Sequence, residues 1–220
     1  MVTLLTDDRS KLVTDTWVKA TWEEFLAASK DSELEKTRCY YDSGSMRIET
    51  MSVGSGHGQD NSLMTQVVNL YAIVNNLRLK SFTNTSFSKE GERESQPDMA
   101  FYIGDDIPKP FSPKGTEAVD LHRYGVPTLT IEVASTSLND DVGRKRLLYE
   151  RLNVQEYWIV DVLGMTILAF EISNLGSRQI QVSQVLPGLL MKTIEEALRR
   201  SQTEDDTEIN QWLIQVLRQG

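Results

Sequence analysis

The sequence predicts a single α/β domain in which helices flank a mixed β-sheet. Three observations favour this class: segments of helical and strand periodicity alternate, one strand-helix-strand unit has the order of a parallel crossover, and no repeat divides the 220 residues. A hydrophobic fraction of 40% is typical of a chain that forms its own core. We therefore expect one domain over 1–220, with a helical lead-in at 1–44, a core at 45–186 and C-terminal helices at 187–220.

The first half of the chain combines a short helix, a strand and a long helix. A capping box of the form T-x-x-E predicts a helix over 21–29. Residues 45–51 alternate as a strand does and lead into a glycine-rich loop at 53–58, which lacks the Lys-Ser/Thr ending of a phosphate-binding P-loop. Apolar residues at helical spacing then predict a long helix over 59–79.

The second half begins with a polar stretch at 81–96, and its regular elements alternate between strands and helices. A proline-containing loop at 107–115 either closes over a substrate or crosses the surface, and the sequence does not decide between these. We predict, in order, strands at 99–103 and 128–134, a helix at 138–152, strands at 157–162, 165–172 and 178–185, and helices at 193–200 and 207–218.

Composition and charge exclude several classes of protein. A net charge of -9 disfavours non-specific attraction to polyanions, although the basic strip at 144–151 leaves room for local nucleic-acid contacts. With one cysteine, Cys39, and two histidines, neither an internal disulfide nor a Cys/His zinc cluster is available, so we expect oxygen ligands for any metal. The chain shows no membrane span and no signal pattern, so we expect a cytoplasmic protein.

Three residues depart from the pattern of their own element. Asp98 heads the less apolar face of its strand, and Glu132 lies in mid-strand, where an unpaired buried carboxylate is costly. Lys145 falls in the middle of the apolar stripe of its helix. Two carboxylates that hold Mg²⁺ or Mn²⁺ near a lysine can hydrolyse a phosphodiester bond. The structural alternative is a buried salt bridge between Glu132 and Lys145, with Asp98 capping the turn after Pro97.

Four segments carry a family resemblance: Pro97-Asp98, Glu132-Val133-Ala134-Ser135, Asp141 with Lys145 and Tyr149, and Glu156-Tyr157-Trp158-Ile159-Val160-Asp161. Together they resemble the Uma-two family of endonucleases, a branch of the PD-(D/E)xK superfamily, over residues 22 to about 172. The resemblance implies a restriction-endonuclease-like core, a divalent cation and cleavage of DNA, with Asp98 and Glu132 as the acids that bind the metal. It further implies a homodimer whose two sites address both strands of a duplex.

The catalytic lysine is where this sequence departs from the superfamily. The usual lysine lies two residues after the second acid, and that position is Ala134 here. The family pattern places a lysine on the following helix instead, and Lys145 matches that position. The resemblance therefore implies Lys145 as the charge partner of the attacked phosphate, and the helical periodicity selects the same residue independently.

Two further residues are candidates for the same site. His57 matches a histidine of the family, which implies phosphate contact or proton transfer near the metal; packing against the start of the helix is the alternative. Glu49 is a candidate metal ligand because members of the superfamily supply an acid early in the fold. We expect Tyr157 and Trp158 to be core residues rather than base-stacking platforms, and Asp161 to form a turn.

These observations favour a Mg²⁺- or Mn²⁺-dependent endonuclease that hydrolyses DNA. A non-catalytic interaction protein that retains the nuclease fold is the first alternative, and the net charge of -9 favours it. A hydrolase of small phosphodiesters or of structured nucleic acid is the second, and weak dependence of binding on salt would indicate it.

Overall fold

Two mixed β-sheets, flanked by helices, form the framework of this computed structural model, which describes residues 13–34, 36–51, 54–110, 115–173 and 176–218. The strands are β1 (Trp17–Lys19), β2 (Thr37–Asp42), β3 (Ser45–Thr50), β4 (Leu79–Thr83), β5 (Phe87–Lys89), β6 (Arg93–Ser95), β7 (Met99–Ile103), β8 (Val119–Asp120), β9 (Leu129–Ala134), β10 (Glu156–Asp161), β11 (Thr166–Ser173) and β12 (Gly176–Ile180). The α-helices are α1 (Trp22–Ser29), α2 (Ser55–Val74), α3 (Leu121–Tyr124), α4 (Leu138–Asp140), α5 (Arg146–Leu152), α6 (Met191–Arg200) and α7 (Asp206–Leu217). A π-helical segment, Asp141–Lys145, joins α4 to α5.

The central sheet has the strand order β12-β11-β10-β9-β7-β4, and within it β9 and β10 are parallel while the other pairs are antiparallel. The parallel pair confirms the predicted strand-helix-strand crossover. The second sheet has the order β1-β3-β2-β6-β5-β8. The predicted fold class, a mixed sheet with flanking helices, is therefore confirmed, but the sequence did not indicate a second sheet.

The two faces of the central sheet are buried in separate clusters. Met99, Phe101 and Ile103 of β7 pack with alternate residues of β9 against α2, α6 and α7. Ala100 and Tyr102 face the other way, toward α5 and the second sheet. This division confirms the predicted alternation of faces in β7 and β9. Because both faces are covered, polar groups that point into either cluster need partners within the protein.

The lead-in at 1–44 is not wholly helical, which corrects the prediction. Within its described part, the capping box at Thr21 starts α1 as expected, but β1 and β2 belong to the second sheet. The polar stretch at 81–96 also contains strands, β5 and β6, which are only three residues long. Strands of that length are too short to show a periodicity that distinguishes them from loops.

The long helix α2 begins earlier and ends earlier than predicted. It starts at Ser55, so Gly56, His57 and Gly58 form its first turn instead of a loop. It ends at Val74, and Asn76 two residues later has a φ of 53°, a left-handed conformation that cannot continue the helix. The first residue of the predicted glycine-rich loop, at 53, and residues 111–114 of the proline-containing loop lie outside the described residues.

The last elements follow the prediction with one difference. The hairpin β11–β12 and the helices α6 and α7 are present, but β12 ends at Ile180 and not near 185. The chain instead turns around the buried carboxylate of Glu156, which accepts hydrogen bonds from the backbone amides of Gln184 (2.5 Å) and Val185 (3.2 Å). Among the described residues, no helix combines the length and apolar character needed to cross a bilayer.

Glu94 of β6 provides a test of the packing of the second sheet. Burial raises the pKa of its carboxyl to about 6. Burying the charged form is therefore a cost that is absent at pH 4 and complete at pH 8. We expect Glu94→Gln to raise the free energy of unfolding by about 2 kcal/mol at pH 8 and to change it little at pH 4, as measured by urea denaturation. The exposed Glu90→Gln is the control, and an equal effect of Glu94→Gln at both pH values would contradict the assignment.

Candidate active site

A cavity of about 310 Å³ is lined by residues of both sheets and of the start of α2. Four of the five predicted site residues line it: Glu49, His57, Asp98 and Glu132. Lys145 is not among the described residues that line the cavity, and it contacts one of them, Glu49. The structure therefore brings all five predicted residues into one neighbourhood, with Lys145 behind the wall.

Asp98 is buried and bound from three sides. Its Oδ1 forms an ion pair with Arg38 Nη2 and lies 3.1 Å from His57 Nε2 and 3.5 Å from Asn61 Nδ2. Its Oδ2 accepts a hydrogen bond of 2.8 Å from the backbone amide of Val133. Burial raises the pKa of the carboxyl, but the hydrogen bond from His57 and the charge of Arg38 outweigh burial and hold the pKa well below its usual range. Asp98 is therefore a carboxylate at any pH near neutrality.

Glu132 lines the same cavity, but the pKa of its carboxyl is raised where that of Asp98 is lowered. Its Oε1 accepts hydrogen bonds from the hydroxyls of Tyr149 (2.7 Å) and Tyr40 (3.2 Å), and its Oε2 lies 3.9 Å from Arg38 Nη1. Burial raises the pKa of this carboxyl to about 8, against the lowering effect of the charge on Lys145. Glu132 is therefore mostly protonated at pH 7 in the protein without a bound cation.

Lys145 is 1% exposed and is held by two carboxylates. Its Nζ lies 2.7 Å from Glu49 Oε2 and 2.9 Å from Asp141 Oδ1, and 4.6 Å from the ring centre of Tyr40. Burial lowers the pKa of the ammonium, but the surrounding carboxylates, Glu132 first among them, outweigh burial and raise it. The inward position that helical periodicity predicts for this lysine is confirmed, and its ion pairs are with Glu49 and Asp141.

The structural alternative proposed from the sequence differs from what is found. Among the described residues, Glu132 and Lys145 do not form an ion pair, although the charge of each acts on the pKa of the other. The side chain of Asp98 makes its hydrogen bonds to β2, α2 and β9 and not to the turn after Pro97.

Glu49 connects Arg47, which lines the cavity, with Lys145 behind it. Its Oε2 lies 3.0 Å from Arg47 Nε as well as 2.7 Å from Lys145 Nζ. Arg47 in turn lies 3.3 Å from Asp140 Oδ2. Each of these two cations therefore contacts two carboxylates.

Sequence reasoning missed Arg38 and Tyr40, which both contact the acids of the cavity. They lie on one face of β2, a strand that was not predicted because it was assigned to the helical lead-in. The available signal was an arginine within the run Thr37–Asp42, which is otherwise rich in aromatic residues. Tyr149 belonged to the family resemblance, but its role as a donor to Glu132 was not foreseen.

The basic strip at 144–151 does not form one cationic surface. Lys145 is buried, Arg146 pairs with Glu150 at 2.8 Å, and Arg151 pairs with Asp42. Arg144 lies over the ring of Trp17, at 4.6 Å from its centre. The strip therefore gives no support for nucleic-acid binding.

Three predictions about residues outside the cavity are confirmed. Tyr157 and Trp158 are fully buried, as expected of core residues. Asp161 accepts a hydrogen bond of 3.0 Å from the backbone amide of Gly164, as expected of a turn residue.

The donor atoms of Asp98 and Glu132 are suited to a divalent cation of the magnesium type. Glu132 Oε2 accepts no hydrogen bond from the described residues, and Asp98 Oδ2 accepts one. In the described part of the chain, no three His, Cys, Asp or Glu side chains are close enough to hold an ion between them. Mg²⁺ is usually bound by only one or two carboxylates, with waters and substrate phosphates as its other ligands. The pair Asp98 and Glu132 fits that kind of site.

Comparisons with known proteins bear on the family and the fold of this chain. The model of the family Uma2, described as "Putative restriction endonuclease", matches residues 22–210. A crystal structure of a protein from Anabaena variabilis ATCC 29413, described as a putative nuclease belonging to DUF820, is similar in fold with a TM-score of 0.58. The two sequences are 19% identical, and the match covers 81% of this chain and 99% of that one. No curated protein matches the chain.

The ion pair between Arg38 and Asp98 provides a test of the charge balance in the cavity. Removing one partner of a buried pair leaves an uncompensated charge, so we expect Arg38→Met to lower the free energy of unfolding by about 3 kcal/mol. The double variant Arg38→Met/Asp98→Asn is expected to recover part of this loss, because it leaves no unpaired carboxylate. Urea denaturation at pH 7 measures both, and a single variant as stable as the wild type would show that the pair contributes nothing.

Proposed function

The chain belongs to the Uma2 family, and on that premise we propose that it is a metal-dependent nuclease that cleaves phosphodiester bonds of DNA in this cavity. The observation that carries the proposal is the placement of two buried acids, Asp98 and Glu132, against one cavity, where hydrogen bonds and the charge of Arg38 lower the pKa of Asp98 and burial raises that of Glu132. Such a divergence between neighbouring acids is typical of sites that perform chemistry.

Asp98 and Glu132 are the residues that would hold the metal. When bound there, Mg²⁺ or Mn²⁺ supplies a Lewis acid for the phosphate and an activated water. The protein contributes orientation: two tyrosine hydroxyls hold Glu132 Oε1, so Oε2 is the oxygen that remains available. The amide of Val133 orients Asp98 through Oδ2, which accepts this one hydrogen bond from the described residues and so keeps a lone pair for the metal.

His57 and Lys145 have different tasks in this proposal. His57 lines the cavity with Nε2 against Asp98, and its Nδ1 has no partner among the described residues, so this nitrogen is available for a proton or a phosphate oxygen. Lys145 forms an ion pair with Glu49, which lines the cavity, and its positive charge lowers the pKa of Glu132. A homodimer with two facing sites would address both strands of a duplex.

A second candidate function has one observation in its favour. Arg38 already provides Asp98 with a counter-ion, so the acid pair is compatible with a protein that binds no metal. Such a protein would be a non-catalytic interaction protein that retains the nuclease fold.

Cleavage assays test the proposed activity directly. We expect the wild type to cleave supercoiled plasmid or single-stranded DNA in Mg²⁺ or Mn²⁺, and Glu132→Gln to lose at least about 100-fold in rate, the order lost when a group that stabilises transition-state charge is removed. Lys145→Met is expected to be impaired as well. Glu171→Gln, which removes an acid of β11 outside the cavity, is the matched control. Cleavage that is unaffected in the Glu132 and Lys145 variants, or absent in the wild type with either metal, contradicts the proposal.

Thermal stability distinguishes the nuclease from the interaction protein. A cation that binds only the folded state adds about 2.7 kcal/mol of stability at a concentration of 100 times its Kd. We therefore expect MgCl₂ or MnCl₂ to raise the Tm of the wild type but not of Glu132→Gln, relative to NaCl at equal ionic strength. An equal response of the two proteins would favour the interaction protein.

A further inference from the structure

We propose that Arg38 is the residue that binds the substrate phosphate in this cavity, a role that the family resemblance gives to Lys145. This inference rests on the proposed function, because it assigns a contact within the same site. It makes Arg38 a further catalytic residue in β2, a strand that carries none of the predicted site residues.

Three buried cations line the cavity or contact a residue that lines it. They differ in how closely carboxylates surround them. Lys145 contacts Glu49 and Asp141 and does not line the cavity within the described residues. Arg47 lines the cavity but contacts both Glu49 and Asp140. Arg38 lines the cavity and has one carboxylate at hydrogen-bond distance, that of Asp98, while its second, that of Glu132, lies 3.9 Å away. Arg38 is therefore the cation of this set with the most capacity for another anion.

The hydrogen bonds of Arg38 lead to the same conclusion. A guanidinium has five N–H donors. Nη2 donates to Asp98 Oδ1 and, at 2.6 Å, to Asn84 Oδ1. Nε is buried without a partner among the described residues, and Nη1 lies 3.9 Å from Glu132 Oε2, beyond hydrogen-bond distance. Among the described residues, Nε is thus a buried donor without a partner on a side chain that is 4% exposed, and an unsatisfied buried donor is costly.

A phosphodiester oxygen is the anion that suits these unused donors. Guanidinium groups bind phosphate through charge-assisted hydrogen bonds that are stronger than neutral ones. Asp98 and Asn84 hold the side chain of Arg38 in place, so little further ordering is needed when the phosphate binds. A phosphate at Nη1 would then lie beside Glu132, whose Oε2 is 3.9 Å from that nitrogen.

DNA binding without a metal tests this assignment apart from cleavage. The pair to compare is Asp98→Asn against Asp98→Asn/Arg38→Gln, because both lack the acid and differ only at Arg38. Fluorescence anisotropy of a labelled duplex in EDTA, at several NaCl concentrations, gives Kd and its salt dependence. We expect the double variant to bind about 10-fold more weakly than Asp98→Asn and the slope of log Kd against log salt to fall by about one. Arg199→Gln, which removes an exposed arginine of α6, is expected to bind as the wild type does.

A conservative variant keeps the test valid should the double variant fail to fold. Arg38→Lys preserves a cation for Asp98 but lacks the spare donors, so we expect weaker binding with an unchanged salt slope. Equal Kd and slope with and without Arg38, or an Arg38→Lys that binds as the wild type does, overturns the assignment and leaves the nuclease proposal intact. Failure of the wild type to bind or cleave DNA under any condition overturns both.

Discussion

The carboxylate of Asp98 is the point at which the separate parts of this structure meet. Its donors come from β2 of the second sheet, from the first turn of α2 and from β9 of the central sheet. A charge buried at that point is tolerated only while those donors remain in place. The position of the second sheet over the central sheet, and of α2 at the cavity, is therefore coupled to one acid.

The same arrangement explains why two neighbouring acids behave differently. Asp98 has a guanidinium and an imidazole at hydrogen-bond distance, whereas Glu132 has two tyrosine hydroxyls and cations only farther away. Hydroxyl donors satisfy a carboxyl oxygen but do not offset the loss of solvation of its charge. Asp98 consequently holds its negative charge, while Glu132 acquires one readily only when a cation approaches its free oxygen.

The sequence predicted those parts of the site that violate local patterns. Glu132 in an apolar strand and Lys145 in an apolar helical stripe are anomalies that periodicity alone detects, and both are buried in the cluster of charges. Arg38 and Tyr40 could not be found in this way, because their function depends on Asp98 and Glu132, which are 60 and 92 positions away. The short strands of the second sheet were missed for a related reason: pairing across the sheet stabilises them, and three residues carry no period.

The surroundings of Lys145 combine one local contact and one distant contact. Helical periodicity directs Lys145 inward and places it on the same face as Asp141, four positions earlier, but it does not indicate Glu49. In the segment Asp141–Lys145 the lysine contacts the aspartate that begins the same turn, and Glu49 from β3 completes its surroundings. Two carboxylates at contact distance neutralise the ammonium, so its charge stabilises the buried positions of Glu49 and Asp141. In the proposed assignment a phosphate that enters the cavity therefore meets Arg38 of β2, which lines the cavity, and not Lys145, which is absent from the described residues that line it.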